Sequence, residues 1–253
     1  MYESQANISL SINQSVATLT FQHPASNSFT AQMLSDFVDS LNDLSQNADV
    51  KLVVLKSHGD GVFCAGASFD ELKKISNLKN GTQFFSGFAN AINAMRNCAK
   101  LIVGRVQGKA VGGGIGLISA CDYVFATQNS SVKLSEIAIG IGPFVIEPAI
   151  TRKIGITNFS QLALKPSYWK SADWALEKGL FSEIFETQFQ LDTAVLNFTT
   201  ELSSYPLESL TELKKVLWQN TNHWNVLLDE RAAISGQLAL SDFAKNALEQ
   251  FKK

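Results

Sequence analysis

Hydrophobic positions in the first half of the chain alternate between strand-like runs and helical stripes. Residues 8–21 alternate loosely between apolar and polar side chains and predict one or two strands. Thr30 is placed to cap a helix, and a stripe of apolar residues over 84–95 predicts another. Short apolar runs predict buried strands at 51–55, 101–106 and 123–126. Strands that alternate with helices are typical of a layered α/β fold.

The second half of the chain has a different pattern. Ser171 is placed to cap a short helix. Beyond about residue 191 the apolar spacing is almost wholly helical, with Pro206 between two of the helices. We therefore expect an α/β core over residues 1–195 and a helical region over residues 196–253. The apolar side chains of that region pack either on the chain's own core or between subunits, and the sequence leaves both open.

Composition limits the classes of function. The chain has 253 residues, of which 45% are hydrophobic and 17% charged, so a sizeable core is expected rather than disorder. The formal net charge of −2 argues against nucleic acid as the main partner. No targeting pattern opens the chain, and no apolar run approaches the roughly 20 residues of a membrane span. Three cysteines without metal-ligand spacing favour reduced thiols, no metal and a cytoplasmic protein.

Two glycine-bearing segments, FCAGASFDEL at 63–72 and GKAVGGGIGL at 108–117, carry the clearest chemical signal. Each follows an apolar run and precedes a predicted helix, so each offers free backbone N–H groups. Two N–H groups aimed at one point stabilise a developing oxyanion. Twenty residues beyond Gly116 stands Glu136, a carboxylate suited to proton transfer next to a carbonyl. Cys64 has no paired histidine motif, so we interpret it as a packing residue rather than a nucleophile.

Neither segment fits a phosphate-binding loop. A P-loop requires lysine after its second glycine, but Ala67 and Gly114 occupy the two corresponding positions. A dinucleotide fingerprint that begins at Gly112 requires glycine where Leu117 stands. The consecutive glycines 112–114 instead indicate a site where a ligand contacts the main chain directly.

Together these features resemble the crotonase, or enoyl-CoA hydratase/isomerase, superfamily over nearly the whole chain. The motifs that carry the resemblance lie at 63–72, 112–122, 136–143, 171–175 and 179–180. The resemblance implies a spiral of ββα units followed by a C-terminal helical trimerisation region. It also implies a homotrimer or a dimer of trimers. The ligand would be an acyl-CoA thioester, with no cofactor beyond the coenzyme A of the substrate.

The resemblance also implies roles for individual residues. The oxyanion-hole amides would belong to Ala65 and Gly113. Main-chain groups around Ala67, Ser68 and Phe69 would contact the adenine of coenzyme A, although Ser68 stands where aspartate is common. The remaining substrate-binding positions would be Gly112, Gly114, Gly116, Pro143 and Phe144. Phe144 stands where many relatives have a small residue, so it is expected to reshape the acyl pocket.

The number of carboxylates distinguishes the possible reactions. Two-glutamate hydratases of this superfamily use one glutamate that matches Glu136 and another whose position is Gly116 here. Glu136 alone favours a one-base shuttle that isomerises a 3-enoyl-CoA to a 2-enoyl-CoA. Hydration of a 2-enoyl-CoA, including a branched one such as methylglutaconyl-CoA, needs a replacement group, and Glu147 is the nearest acidic residue. A non-catalytic module that binds a CoA ester or a protein partner is the third alternative.

Overall fold

The computed structural model of the protein describes residues 6–250. The strands are β1 Asn7–Asn13, β2 Val16–Gln22, β3 Leu52–Ser57, β4 Leu101–Val106, β5 Ala110–Val111, β6 Tyr123–Thr127, β7 Ser131–Lys133, β8 Lys170–Ser171 and β9 Glu183–Phe185. The helices are α1 Ala31–Gln46, α2 Phe69–Leu72, α3 Leu78–Asn97, α4 Gly113–Ala120, α5 Glu147–Ala163, α6 Ala172–Glu177, α7 Gln188–Ser203, α8 Leu207–Leu217, α9 Trp224–Leu238 and α10 Asp242–Gln250.

Two sheets organise the first part of the chain. The larger sheet has the order β1-β2-β3-β4-β6-β9, with a β1–β2 hairpin and parallel pairing between the other neighbours. The smaller sheet has the order β5-β7-β8. Parallel neighbours require crossovers, and helices α1, α3 and α4 supply them between successive strands of the larger sheet. The expected mixed α/β architecture is thereby confirmed.

Local sequence signals explain several element boundaries. The hydroxyl of Thr30 accepts a hydrogen bond from the N–H of Met33 at 3.2 Å and begins α1. Ser171 caps α6 in the same way through the N–H of Trp174 at 3.2 Å. Pro206 precedes α8 and separates it from α7, as predicted. The apolar run over 8–21 forms two strands because a turn at Gln14, with φ of 54°, folds it into a hairpin.

The helices beyond residue 188 pack on the rest of the same chain. Residue 195 lies inside α7, whose Asp192 pairs with the buried Arg105 of β4 at 2.8 Å. On α8, Lys214 pairs with Asp122 at 2.7 Å, and both side chains are buried. Apolar side chains of α8 also remain at the surface, and the expected assembly into trimers stays a prediction. Within residues 6–250, no helix has the length and apolar character needed to cross a membrane.

Helix α9 crosses α3 at a contact between two glycines. A Cβ placed on Gly81 would lie 2.8 Å from the carbonyl oxygen of Gly236. A Cβ on Gly236 would lie 2.5 Å from the amide nitrogen of Thr82. The two helices therefore approach as closely as their backbones allow, and this contact fixes α9 against the helix that lines the functional site.

Candidate active site

The two glycine-bearing segments lie side by side. Cys64 and Ala110 form a parallel bridge, and the N–H of Val111 donates to the carbonyl of Cys64 at 2.9 Å. Gly66 adopts a φ of 89°, and a Cβ there would lie 3.1 Å from the carbonyl oxygen of Val111. The same Cβ would lie 3.5 Å from the amide nitrogen of Gly113. Glycine at position 66 thus lets the first segment approach the start of α4.

Backbone N–H groups of both segments have no acceptor among the described residues. They include the N–H groups of Ala67, Gly113 and Gly114, and Gly113 is the first residue of α4. The N–H of Ala65, by contrast, donates to the carbonyl of Ser26 at 3.0 Å. The expectation that Ala65 supplies an oxyanion amide is therefore wrong, because its N–H already holds the preceding turn in place. The free amide of this segment lies two residues later, at Ala67.

Glu136 begins a short 3₁₀ turn, Glu136–Ile139, that ends at Gly140 with a φ of 76°. A Cβ placed on Gly112 would lie 2.7 Å from the Oε1 atom of Glu136, so the carboxylate occupies the space that a side chain at 112 would fill. Oε2 is buried and has no hydrogen-bond partner among the described residues. Burial raises the pKa of Glu136 from 4.5 to about 7, against a smaller lowering by backbone N–H groups.

The position that corresponds to a second glutamate is filled by an apolar side chain. A Cβ placed on Gly116 would collide with the Cγ2 atom of Ile146 and would lie 2.9 Å from its Cβ. The Cδ1 atom of Ile92 stands 3.7 Å from the same point. No room is left at Gly116 for a carboxylate unless Ile146 moves.

A cavity joins these features. It holds about 620 Å³ of empty space, including that at its open mouth, and its lining residues include Ala67, Gly113 and Glu136. Most of the other lining side chains are apolar, among them Phe69, Leu72, Phe84, Phe85, Phe88, Ile139, Ile141, Val145 and Ile146. Among the described residues that line it, Glu136 is the sole ionisable side chain. The cavity therefore combines one base with two free amides in apolar surroundings.

Comparison with known proteins identifies the relatives of this arrangement. A family profile described as enoyl-CoA hydratase/isomerase matches residues 11–247. The chain belongs to this family. A Bacillus subtilis protein named probable enoyl-CoA hydratase is 24% identical over 96% of this chain and 95% of its own length. An Arabidopsis thaliana peroxisomal protein named Delta(3,5)-Delta(2,4)-dienoyl-CoA isomerase is 25% identical over 85% of this chain and 82% of its own length.

The fold is likewise shared with solved structures. The crystal structure of an enoyl-CoA hydratase from Bacillus halodurans superposes with a TM-score of 0.89 at 19% identity. The superposition covers 96% of this chain and 99% of the other. The expected crotonase-like fold is confirmed. At identities this low the relatives do not specify the reaction, which must be inferred from the geometry of this chain's own site.

The structure brings part of the predicted substrate-binding set to the cavity. Ala67, Phe69, Gly112 and Pro143 line it. Ser68 lies in an adjoining open groove with His23 and Lys73, and its hydroxyl caps α2 by accepting from the N–H of Glu71 at 3.4 Å. The Ser68 hydroxyl is thus committed to the helix that follows it.

Other predicted residues lie behind the cavity wall. Gly114 packs on Cys64, since a Cβ there would lie 2.7 Å from the Cβ of Cys64. Cys64 itself is buried, and burial raises the pKa of its thiol to about 12, which suits a packing residue. The ring of Phe144 packs over Gly142 and is not among the described lining residues.

Glu147 is directed away from the cavity. Its Oε1 accepts a hydrogen bond from the Thr151 hydroxyl at 2.7 Å, one turn along α5. Its Oε2 lies 3.9 Å from a guanidinium nitrogen of Arg231. Glu147 does not line the cavity, so the structure does not bring this second carboxylate to Glu136.

Sequence reasoning missed two cavity-lining residues that lie far from the glycine motifs along the chain. Ile146 lies 30 positions beyond the glycine whose space it fills, and Ser235 comes from α9, more than a hundred residues beyond the glycine triplet. Both stand in apolar stripes without a motif, and only the tertiary fold shows which of their neighbours they meet. The helical tail thus contributes to the site as well as to the core.

Proposed function

We propose that this protein isomerises 3-enoyl-CoA thioesters to 2-enoyl-CoA thioesters with Glu136 as its single acid–base group. One observation carries the proposal. Glu136 is the only carboxylate among the described residues of the cavity wall, and Ile146 fills the space where a second one would stand. A one-base reaction needs no second carboxylate, whereas activation of a water molecule in a two-glutamate site does.

The proposed reaction begins when the thioester oxygen accepts hydrogen bonds from the N–H groups of Ala67 and Gly113. Glu136 then removes a proton from C2, and the electron pair delocalises into a dienolate whose charge rests on the thioester oxygen. The protonated Glu136 returns that proton to C4. The double bond has moved from C3–C4 to C2–C3, and the enzyme is unchanged. No group other than the coenzyme A of the substrate is required.

The environment of Glu136 suits both halves of this shuttle. A base that must give its proton back works best when its pKa lies near the working pH. Burial raises the pKa of Glu136 to about 7, which meets that condition. Because Oε2 has no protein partner in the described structure, the proton exchanged with substrate need not compete with a hydrogen bond already made.

The apolar wall also narrows the substrate class. A methylglutaconyl group carries a second carboxylate, and burying a charge requires a partner. The described lining residues include no lysine, arginine or histidine. The cavity therefore favours uncharged acyl groups over methylglutaconyl-CoA. The open groove that Lys73 lines adjoins the cavity, which supports a coenzyme A moiety bound there.

Product analysis in D₂O tests the proposal. The purified protein is incubated with a 3-enoyl-CoA and, separately, with a 2-enoyl-CoA, and both are followed by NMR and mass spectrometry. We expect migration of the double bond without a mass gain of one water. The Glu136→Gln variant should lose this activity while it still binds the thioester.

The matched control is Glu147→Gln, which removes a nearby carboxylate outside the cavity and should leave turnover within about twofold. Water addition by the wild-type protein would show that it is a hydratase. Turnover by the Glu136→Gln variant at the wild-type rate would exclude Glu136 as the base.

A further inference from the structure

Two of the residues that line the cavity carry buried polar atoms without partners. Within residues 6–250, the buried side-chain atoms that lack a hydrogen-bond partner belong to Gln107, Ser119, Glu136 and Ser235. Glu136 and Ser235 line the cavity, and the other two do not. An unsatisfied buried polar group costs about 1–3 kcal/mol. Glu136 has a role in the proposed reaction, whereas the Ser235 hydroxyl is not used by it.

Helix α3 locates Ser235 relative to the reacting end of the cavity. Phe88 marks that end, because a Cβ placed on Gly113 would collide with its ring. Gly81, which touches Gly236 next to Ser235, lies seven residues earlier on the same helix. Seven residues of α-helix span roughly 10 Å. Ser235 therefore lies toward the far end of the cavity from the amide of Gly113.

The wall between these two ends is apolar. Phe84 and Phe85 stand on the intervening turn of α3, with their rings 5.2 Å apart and nearly perpendicular. An alkyl chain that runs from the thioester past these rings would bring its distal carbons toward Ser235, which lines the same cavity. No cationic side chain lines this path among the described residues, so an oxygen met there would be neutral.

We propose that Ser235 is a specificity-determining residue that hydrogen-bonds a hydroxyl or carbonyl oxygen on the distal part of the acyl chain. The inference rests on the proposed function for the direction of the thioester in the cavity. With this hydrogen bond, an acyl-CoA that carries a distal oxygen should bind more tightly than the corresponding alkyl acyl-CoA. A ligand oxygen that hydrogen-bonds to Ser235 offsets the cost of burying the hydroxyl without a partner.

Binding of unreactive ligands tests this inference without turnover. Saturated acyl-CoA analogues of increasing length are prepared in pairs that differ only in a terminal hydroxyl or methyl group, and dissociation constants are measured by calorimetry. At the length that reaches Ser235, the wild-type protein should prefer the hydroxyl analogue. Ser235→Ala should weaken binding of that analogue by about five- to tenfold, as expected for one hydrogen bond, and leave the methyl analogue within about twofold.

Ser119→Ala is the matched control, because it removes an unpartnered buried hydroxyl from a residue that does not line the cavity. It should leave the preference unchanged. Equal losses for both analogues in Ser235→Ala, or no loss for either at any length, would overturn the inference. A wild-type protein that shows the preference yet fails to isomerise any 3-enoyl-CoA would refute the proposed reaction and support the binding role of Ser235.

Discussion

Gly112 and Gly116 stand one helical turn apart. At each position the missing side chain leaves a space that another residue fills, but the two residues differ in chemistry. At Gly112 the space left by the missing side chain holds the carboxylate of Glu136. At Gly116 the equivalent space holds the side chain of Ile146. The space at Gly112 thus holds an ionisable carboxylate, whereas the space at Gly116 holds an apolar side chain. Glycine alone does not specify chemistry; the neighbouring side chain that enters its space does.

Of the alanine substitutions at these two glycines, Gly112→Ala should have the larger effect on catalysis. Its Cβ would lie 2.7 Å from Oε1 of Glu136, and position 112 also requires a φ of 53°. The carboxylate must move, so we expect kcat to fall about 10²–10⁴-fold, the range set by a lost general base. Steady-state kinetics with a 3-enoyl-CoA measures this loss. Gly116→Ala is the paired control, and its kcat should remain within about tenfold because its Cβ meets Ile146 rather than the base.

Gly116→Glu should chiefly destabilise the protein. The new side chain meets Ile146 in a packed apolar region, so we expect a loss of about 3 kcal/mol or more in unfolding free energy. Adding Ile146→Ala should recover part of this stability in chemical denaturation. If Gly116→Glu alone is as stable as the wild-type protein, the claim that Ile146 fills the space at Gly116 is wrong. Water addition by the double variant would further show that Ile146 separates isomerisation from hydration.

Glu136→Gln should stabilise the protein at alkaline pH. The folded-state pKa of about 7 exceeds the ordinary 4.5, so the carboxyl group favours folding below pH 4.5 and loses this contribution as pH rises through 7. The shift corresponds to an upper limit of about 3 kcal/mol, nearly all of which applies at pH 8 because that pH lies above both pKa values. Denaturation at pH 5 and pH 8 measures the gain over wild type. An equal gain at both pH values would contradict a buried, ionising Glu136.

The pH dependence of turnover should show the smallest effect. Glu136 must be ionised to accept the C2 proton, so log kcat/KM should rise with unit slope below pH 7 and level off above it. Each pH unit below 7 then costs about tenfold, or about 1.4 kcal/mol. The Glu147→Gln variant should have the same profile. A midpoint near 4.5 would show that Glu136 is solvated rather than buried in the working enzyme.

The sequence predicted the elements that depend on local patterning. Strand β4 and the cap at Thr30 follow from apolar runs and from a hydroxyl at a fixed spacing. The segments that meet at Gly66 were recognisable because their glycines stand in motifs. Their expected proximity depended on the family resemblance, and the fold confirms that they are neighbours.

The details that were missed depend on contacts distant in sequence. Ala65 and Ala67 look equivalent in the motif, and only the carbonyl of Ser26, 39 residues before Ala65, shows which of their amides is engaged. Likewise, nothing near Gly116 indicates that Ile146 will fill its space. A choice between neighbouring residues of the same type is made by tertiary packing, which single-sequence patterns do not encode.

The glycine contact between α3 and α9 has a consequence for the order in which the site is completed. Ribosomes deliver the chain from its N-terminus, so Glu136 and the residues of α4 emerge well before Ser235. Until Gly236 docks on Gly81, the cavity lacks one of its walls. A nascent chain therefore carries Glu136 before it has a closed cavity, and α9 must be synthesised before that cavity can close.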